Sequence, residues 1–157
     1  IAKALSRLRC RTPFIDKVIF LCANHEAAKS WGANAEAMSD EALRRLQYKC
    51  RVRKRFESLL SLINADNRAY AQEHCMPQQT KEIALRSAAL IKSGEAMFGY
   101  KLPIKPSRIS RIIGNSDPKS IAKVTEKLLD KVFAEPRLSR EQLAEMAKTF
   151  KERQITF

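Results

Sequence analysis

The chain has 157 residues, 45% of them hydrophobic, with 4 Gly, 6 Pro and 4 Cys. Thirty Lys and Arg stand against 17 Asp and Glu, a net charge of +13 with histidine neutral. This composition excludes a disordered tail and collagen-like or turn-dense all-β material, and no apolar run nears the roughly 20 residues that a bilayer requires.

The first residue is Ile rather than Met, so the chain reads as an excerpt of a longer protein, one domain or two small ones. Residues 2–9 suit a short basic helix with Ala4, Leu5 and Leu8 on one side. Thr12 stands ready to cap a second helix carrying Pro13 at its first position. Ile15, Val18, Ile19 and Cys22 mark its inner face at i, i+3, i+4 and i+7. That helix is expected to reach Ser30 and stop near Gly32, with Trp31 closing the core and Asn34 to Ser39 forming a loop. Lys17–Leu21 and Ile155–Phe157 are the strand-like stretches.

Ser39 caps the next helix, with Asp40 and Glu41 near its positive end. Leu43, Leu46 and Cys50 then share one side. Phe56, Leu59, Leu60 and Ile63 lie on a face rotated by more than a quarter turn. One straight rod cannot aim both sets at the same wall, so it either bends near residues 50–53 or crosses the core. Lys49, Arg51, Arg53, Lys54 and Arg55 gather at that point, five cations in seven residues. They repel one another along a helix, and contact with phosphate would relieve this. Asp66 to Cys75 continues the helix, and Met76-Pro77 breaks it.

Pro77 opens a helix to Phe98 with Ile83, Ser87, Leu90, Ile91, Gly94 and Met97 inward. Ser87, Ala88 and Gly94 are small enough to admit a close neighbour. Gly99, Pro103 and Pro106 mark a boundary between a basic helical bundle, 1–99, and a three-helix unit, 100–157, unless the two form one continuous domain. In that unit Ser107 to Ile113 forms a short helix and Asn115-Ser116 a turn. Asp117 caps a second helix with Pro118 at its first position, and Ile121, Val124, Leu128 and Val132 face inward. Ser139 and Gln142 form a capping box, Leu138 and Leu143 a hydrophobic staple. Leu143, Met146, Ala147 and Phe150 point to the core. The expected fold is all-α, with six to seven helices: an N-terminal helical bundle followed by a compact three-helix unit of helix-turn-helix-like character.

Gly114 at the turn, Ile109 and Ile113 at apolar positions and Ser110 at a small one match the first half of a helix-turn-helix. The second half matches with one extra residue in the turn. Leu128 to Phe133 followed by Leu138 to Ala144 resembles the opening of a winged helix-turn-helix. On Ile104, Arg108-Ile109, Leu128-Leu129 and Val132-Phe133, the stretch 104–143 resembles a BEN domain, an all-helical DNA-binding module. The closing segment of that family has no counterpart here, and no functional residue is carried over.

Lys101, Lys105, Arg108 and Arg111 precede or decorate the first helix of this unit. Ser116, Lys119, Ser120, Lys123 and Lys127 lie at the start and outer face of the second, where amides, hydroxyls and ammonium groups suit phosphate. Asn115 would read an adenine edge, and Arg108 or Arg111 a guanine, from the major groove. Only Tyr48 and Phe56 flank the 49–55 cluster, so base stacking on single strands is poorly served.

Cys10, Cys22, Cys50 and Cys75 are widely spaced and read as reduced thiols of an intracellular protein, mostly buried as small hydrophobes. Cys22-x-x-His25 and His74-Cys75 would have to combine to bind zinc, and adjacent His-Cys diverges on a helix, so no metal is expected. There is no Gly-rich phosphate loop, G-x-S-x-G or H-E-x-x-H, and Asp66, Glu73 and Glu82 are scattered, so neither an enzyme nor a cofactor is expected. The sequence therefore points to a non-enzymatic nucleic-acid-binding domain. Duplex DNA is favoured over RNA, with a role in transcription regulation in nucleus or nucleoid. The alternative is a helical protein-interaction or assembly module, homo-oligomeric or binding an acidic protein. Docking on a membrane surface would need a basic amphipathic helix with exposed large apolar residues. Only residues 1–9 come close, so no membrane partner is expected.

Overall fold

The computed structural model describes residues 1–27, 38–69 and 77–152. Among them every regular element is a helix: α1 (Ala2–Arg7), α2 (Thr12–Asn24), α3 (Asp40–Cys50), α4 (Arg53–Ala69), α5 (Pro77–Ser93), α6 (Pro106–Ile113), α7 (Pro118–Ala134) and α8 (Arg140–Glu152). The strand-like Lys17–Leu21 lies inside α2, and Ile155–Phe157 falls outside the described residues. Eight helices stand where six to seven were expected, because the long third helix is two. Its apolar pattern changes phase at residues 50–53, and there the chain breaks. Leu43, Leu46 and Cys50 of α3, and Phe56, Leu59 and Ile63 of α4, are all buried. The break lets both sets face one core.

The chain divides into two compact units, Ile1–Gly99 and Tyr100–Phe157. In the first, α3, α4 and α5 bury Leu43, Leu46, Cys50, Phe56, Leu59, Ile63, Ile83 and Leu90 in one cluster. Ser39 caps α3 as expected, its hydroxyl accepting the Ala42 N–H at 3.2 Å. Arg86 on α5 pairs with Asp40 at the head of α3.

Three local expectations are corrected. First, α2 is capped by Arg11 without a side-chain bond, Thr12 being its first residue, and it ends at Asn24. Residues 30–32, where it was expected to stop, lie outside the described part. Second, α2 turns Phe20 and Leu21 to the core, leaving Ile15 and Val18 half-buried and Ile19 and Cys22 exposed. The helix is apolar over most of its circumference, so periodicity alone does not single out the face that α4 covers. Third, Gly94 is not a small residue inside α5 but the residue that ends it. It adopts φ +76°, and a Cβ there would meet nothing within 4 Å. The Glu95 and Ala96 amides fold back to the Leu90 carbonyl at 2.9 and 3.1 Å. Ile91 is left 37% exposed, and Met97 is buried from beyond the helix.

A single buried side chain, Gln47, ties these pieces together. Its Nε2 donates to Ser87 Oγ of α5 at 3.0 Å, and its Oε1 accepts the Met97 N–H at 3.1 Å. Beside it Arg44 pairs with Glu95 at 2.9 Å, and Phe98 meets Phe56 edge to face at 5.6 Å. Residues 94–99 are thereby clasped against the α3–α4 junction.

In the second unit α6, α7 and α8 pack pairwise. Ile104, Ile109, Ile113, Val124, Leu128, Val132, Phe133, Leu143, Ala144 and Ala147 are buried. Ile121, expected in the inner stripe, is only half-buried, as are Met146 and Phe150. The capping box of α8 forms as read: Ser139 N–H donates to Gln142 Oε1 at 2.7 Å, and Gln142 N–H to Ser139 Oγ at 3.2 Å.

Gln47→Ala should cost about 2–3 kcal/mol, because the Met97 amide and the Ser87 hydroxyl would lose their buried partner. Urea denaturation followed by circular dichroism measures this. A loss below about 0.5 kcal/mol, the size of an ordinary surface substitution, would contradict the clasp.

Candidate nucleic-acid interface

Both units are basic. Residues 1–99 carry 17 Lys and Arg against 10 Asp and Glu, and residues 100–157 carry 13 against 7. The candidate residues fall into two groups, one on each unit.

The first group lies on the α3–α4 junction. Val52 N–H donates to the Cys50 carbonyl at 2.7 Å, closing a three-residue turn around Arg51. Arg51 has φ 62°, ψ −41°, close to the γ-turn of the rare, strained hand. A non-glycine residue held there costs of order 1–3 kcal/mol and persists only where its surroundings over-determine it. Those surroundings are the clasped 94–99 segment: Gly99 itself has φ +64°, and a Cβ on it would lie 3.5 Å from the Arg51 carbonyl oxygen.

The five cations of this segment divide by environment. Arg53 pairs with Glu57 one turn on at 2.8 Å. Arg55 is half-buried, its guanidinium 5.1 Å from the centre of the Phe20 ring. Lys49, Arg51 and Lys54 are exposed, and among the described residues no ion pair holds them. No acidic residue occupies the first turn of α4, where Arg53, Lys54 and Arg55 stand at the positive end of the helix dipole. That placement is unfavourable by about 0.3–1 kcal/mol per charge, and a docked anion would reverse its sign. Sequence reasoning missed Val52, 56% exposed between the two helices. The change of apolar phase marks the break, but a turn with neither Gly nor Asn carries no signal of its conformation in the sequence.

Cys50, behind the turn, is buried. Burial pushes its thiol up to about 11, against a smaller opposing pull from Arg55, so it is a packing group at neutral pH. Cys22, in contrast to the expectation of buried thiols, is exposed, and Cys10 is half-buried. His25 Nδ1 donates to the Cys22 carbonyl at 2.7 Å. His74 and Cys75 lie outside the described residues, among which no three His, Cys, Asp or Glu side chains gather to hold a metal.

The second group surrounds the α6–α7 turn. Gly114 takes the left-handed conformation, φ 65°, ψ 27°, and ends α6. Asn115 and Ser120 are spent within the turn. Asn115 Oδ1 accepts the Asp117 N–H at 2.8 Å, and its Nδ2 donates to Ser120 Oγ at 3.2 Å. The N–H and hydroxyl of Ser120 both donate to Asp117 Oδ2 at 2.8 Å. These bonds, the amide first, hold the Asp117 carboxyl below the usual aspartate range. The start of α7 is thus already occupied by a carboxylate and is not the open phosphate cradle that the sequence suggested. Ser116, Lys119 and Lys123 remain exposed at that end, with Lys105 and Arg111 exposed on α6. Arg108 is half-buried; the Glu141 carboxyl is held below the usual range by hydrogen bonds from its own amide and from Ser139, and only then by the charges of Arg140 and Arg108. Lys127 lies 5.3 Å from the centre of the Phe150 ring.

No protein-family model, curated protein or solved structure matches the chain.

Two measurements check this geometry. Arg51→Gly, which removes the strain, should raise stability by about 1 kcal/mol even though it deletes a charge. Unchanged or lower stability would argue against a strained turn. The Asp117 carboxyl has a lowered folded-state pKa, so its contribution is fully present above the ordinary aspartate value and fades as pH falls through the folded value. Asp117→Ala should therefore melt below the parent chain at neutral pH, and the two should converge under acid. Parallel melting curves down the acid range would contradict the cap.

Proposed function

We propose that the chain is a non-enzymatic nucleic-acid-binding domain that grips the phosphate backbone of duplex DNA. The observation that carries this reading is the α3–α4 junction. Three exposed cations without ion-pair partners among the described residues, Lys49, Arg51 and Lys54, share a strained, buttressed turn at the positive end of a long helix. Strain that a protein maintains at a rigid point of its surface goes with function, and an anion would offset the repulsion among the cations gathered there. In this reading the 100–157 unit acts in helix-turn-helix fashion. The start of α7 supplies Lys119 and Lys123 as docking groups, and Lys105, Arg108 and Arg111 sit along α6. Phosphate contacts of this kind orient a protein without specifying bases.

The runner-up is an assembly module with an acidic protein partner. One observation favours a protein partner, though not its acidity: Pro106, Pro118, Ile121, Ala122, Thr125 and Leu129, with Glu126 among them, line a largely apolar groove on the second unit.

Salt dependence separates the two. Affinity for duplex DNA should fall steeply and linearly in log salt, by about 0.9 per phosphate neutralised. The triple variant Lys49→Ala, Arg51→Gly, Lys54→Ala should flatten that slope by about 2–3 and weaken all sequences alike, with no loss of melting temperature. Gel shifts at two ionic strengths read the result. An unaltered slope removes this turn from the interface, and a shallow slope in the parent chain favours the acidic-protein reading.

A further inference from the structure

The α1–α2 hairpin has a composition and an exposure that the nucleic-acid reading does not use. Neither helix contains a buried residue. Ile1, Leu8, Phe14 and Ile19 are 68, 74, 53 and 39% exposed. α2 gives Phe20 and Leu21 to the core, so Ile19 and Cys22 of its expected inner stripe are exposed while Ile15 and Val18 are half-buried. The same segment carries Lys3, Arg7, Arg9, Arg11 and Lys17, all exposed, with Asp16 the one acid in residues 1–24. Arg9 sits beside Leu8 in the connecting turn at φ 56°.

The charge and the apolar surface together select the occupant. A second copy would bring the same cations face to face, and like charges oppose that. A nucleic acid would neutralise the cations but give aliphatic side chains as exposed as Leu8 and Ile19 no partner. An anionic lipid surface satisfies both sets: apolar side chains enter the acyl boundary while Lys and Arg meet lipid phosphates. We infer that the α1–α2 hairpin docks on an anionic lipid surface, with Leu8, Phe14 and Ile19 entering the interface and the flanking cations holding the headgroups. This inference goes beyond nucleic-acid binding and does not depend on it. It departs from the expectation of no membrane partner, which rested on residues 1–9 alone coming close to a basic amphipathic helix with exposed large apolar residues.

Co-sedimentation of the full chain with vesicles tests it, using neutral phosphatidylcholine and the same lipid mixed with phosphatidylserine. The chain should pellet with the anionic vesicles and not with the neutral ones. Leu8→Ser/Phe14→Ser should lower that partition by about tenfold or more, with melting temperature and duplex-DNA affinity unchanged. Arg7→Gln/Arg11→Gln should lower it as well, whereas Lys49→Ala/Lys54→Ala should reduce DNA affinity and leave most of the lipid binding. Equal recovery with both vesicles, or with neither, overturns the proposal. So does full retention by Leu8→Ser/Phe14→Ser, which would mean adsorption by net charge alone. If that variant binds DNA less tightly and the parent chain ignores lipid, the hairpin belongs to the nucleic-acid surface instead.

Discussion

The carboxamide of Gln47 joins three separate stretches of the first unit. Its own helix, the middle of α5 and the backbone at Met97 meet through its two ends. A buried amide with both ends satisfied is sharply directional, and any shift of one partner leaves a buried polar group unpaired. Because Gln47 fixes the 94–97 backbone, Phe98 and Gly99 arrive against Phe56 and the Arg51 carbonyl. The α3–α4 junction is therefore rigid from behind, although its outer side is open to solvent.

Rigidity is what makes the charge on that junction consequential. Flexible lysines on a free surface spread apart and interact weakly. Lys49, Arg51 and Lys54 are carried by two helix ends and a turn that cannot relax, and they stand where the helix dipole is already positive. Their mutual repulsion is relieved by an external anion more readily than by rearrangement. The neighbouring cations are withdrawn from this role in two ways, Arg53 by its ion pair with Glu57 and Arg55 by stacking on Phe20.

The second unit solves a different problem with similar residues. Its α6–α7 turn is closed by its own side chains: Asn115, Asp117 and Ser120 form a ring of short bonds ahead of α7. The same Ser and Asn that suggest phosphate or base contacts in the sequence are the ones that build the turn. The cations beside it remain exposed, so its electrostatic character survives even though the amide cradle does not.

The sequence by itself determined the helical class, the caps of α3, α7 and α8 and the phase change at residues 50–53, because each rests on neighbours within a turn or two; the expected Thr12 cap of α2 did not form. Ser39, Asp117 and the Ser139–Gln142 box act in the structure as their types and spacing dictate. Five clustered cations were equally visible. Tertiary structure decided that Arg55 is withdrawn, because Phe20 lies more than thirty residues away in sequence, whereas the Arg53–Glu57 pair is local. It also decided which flank of α2 is covered, since a helix apolar on most sides takes its orientation from the neighbour that packs on it. The strained turn at Arg51 likewise depends on residues 94–99, and a contact across that separation leaves no periodic trace in the chain.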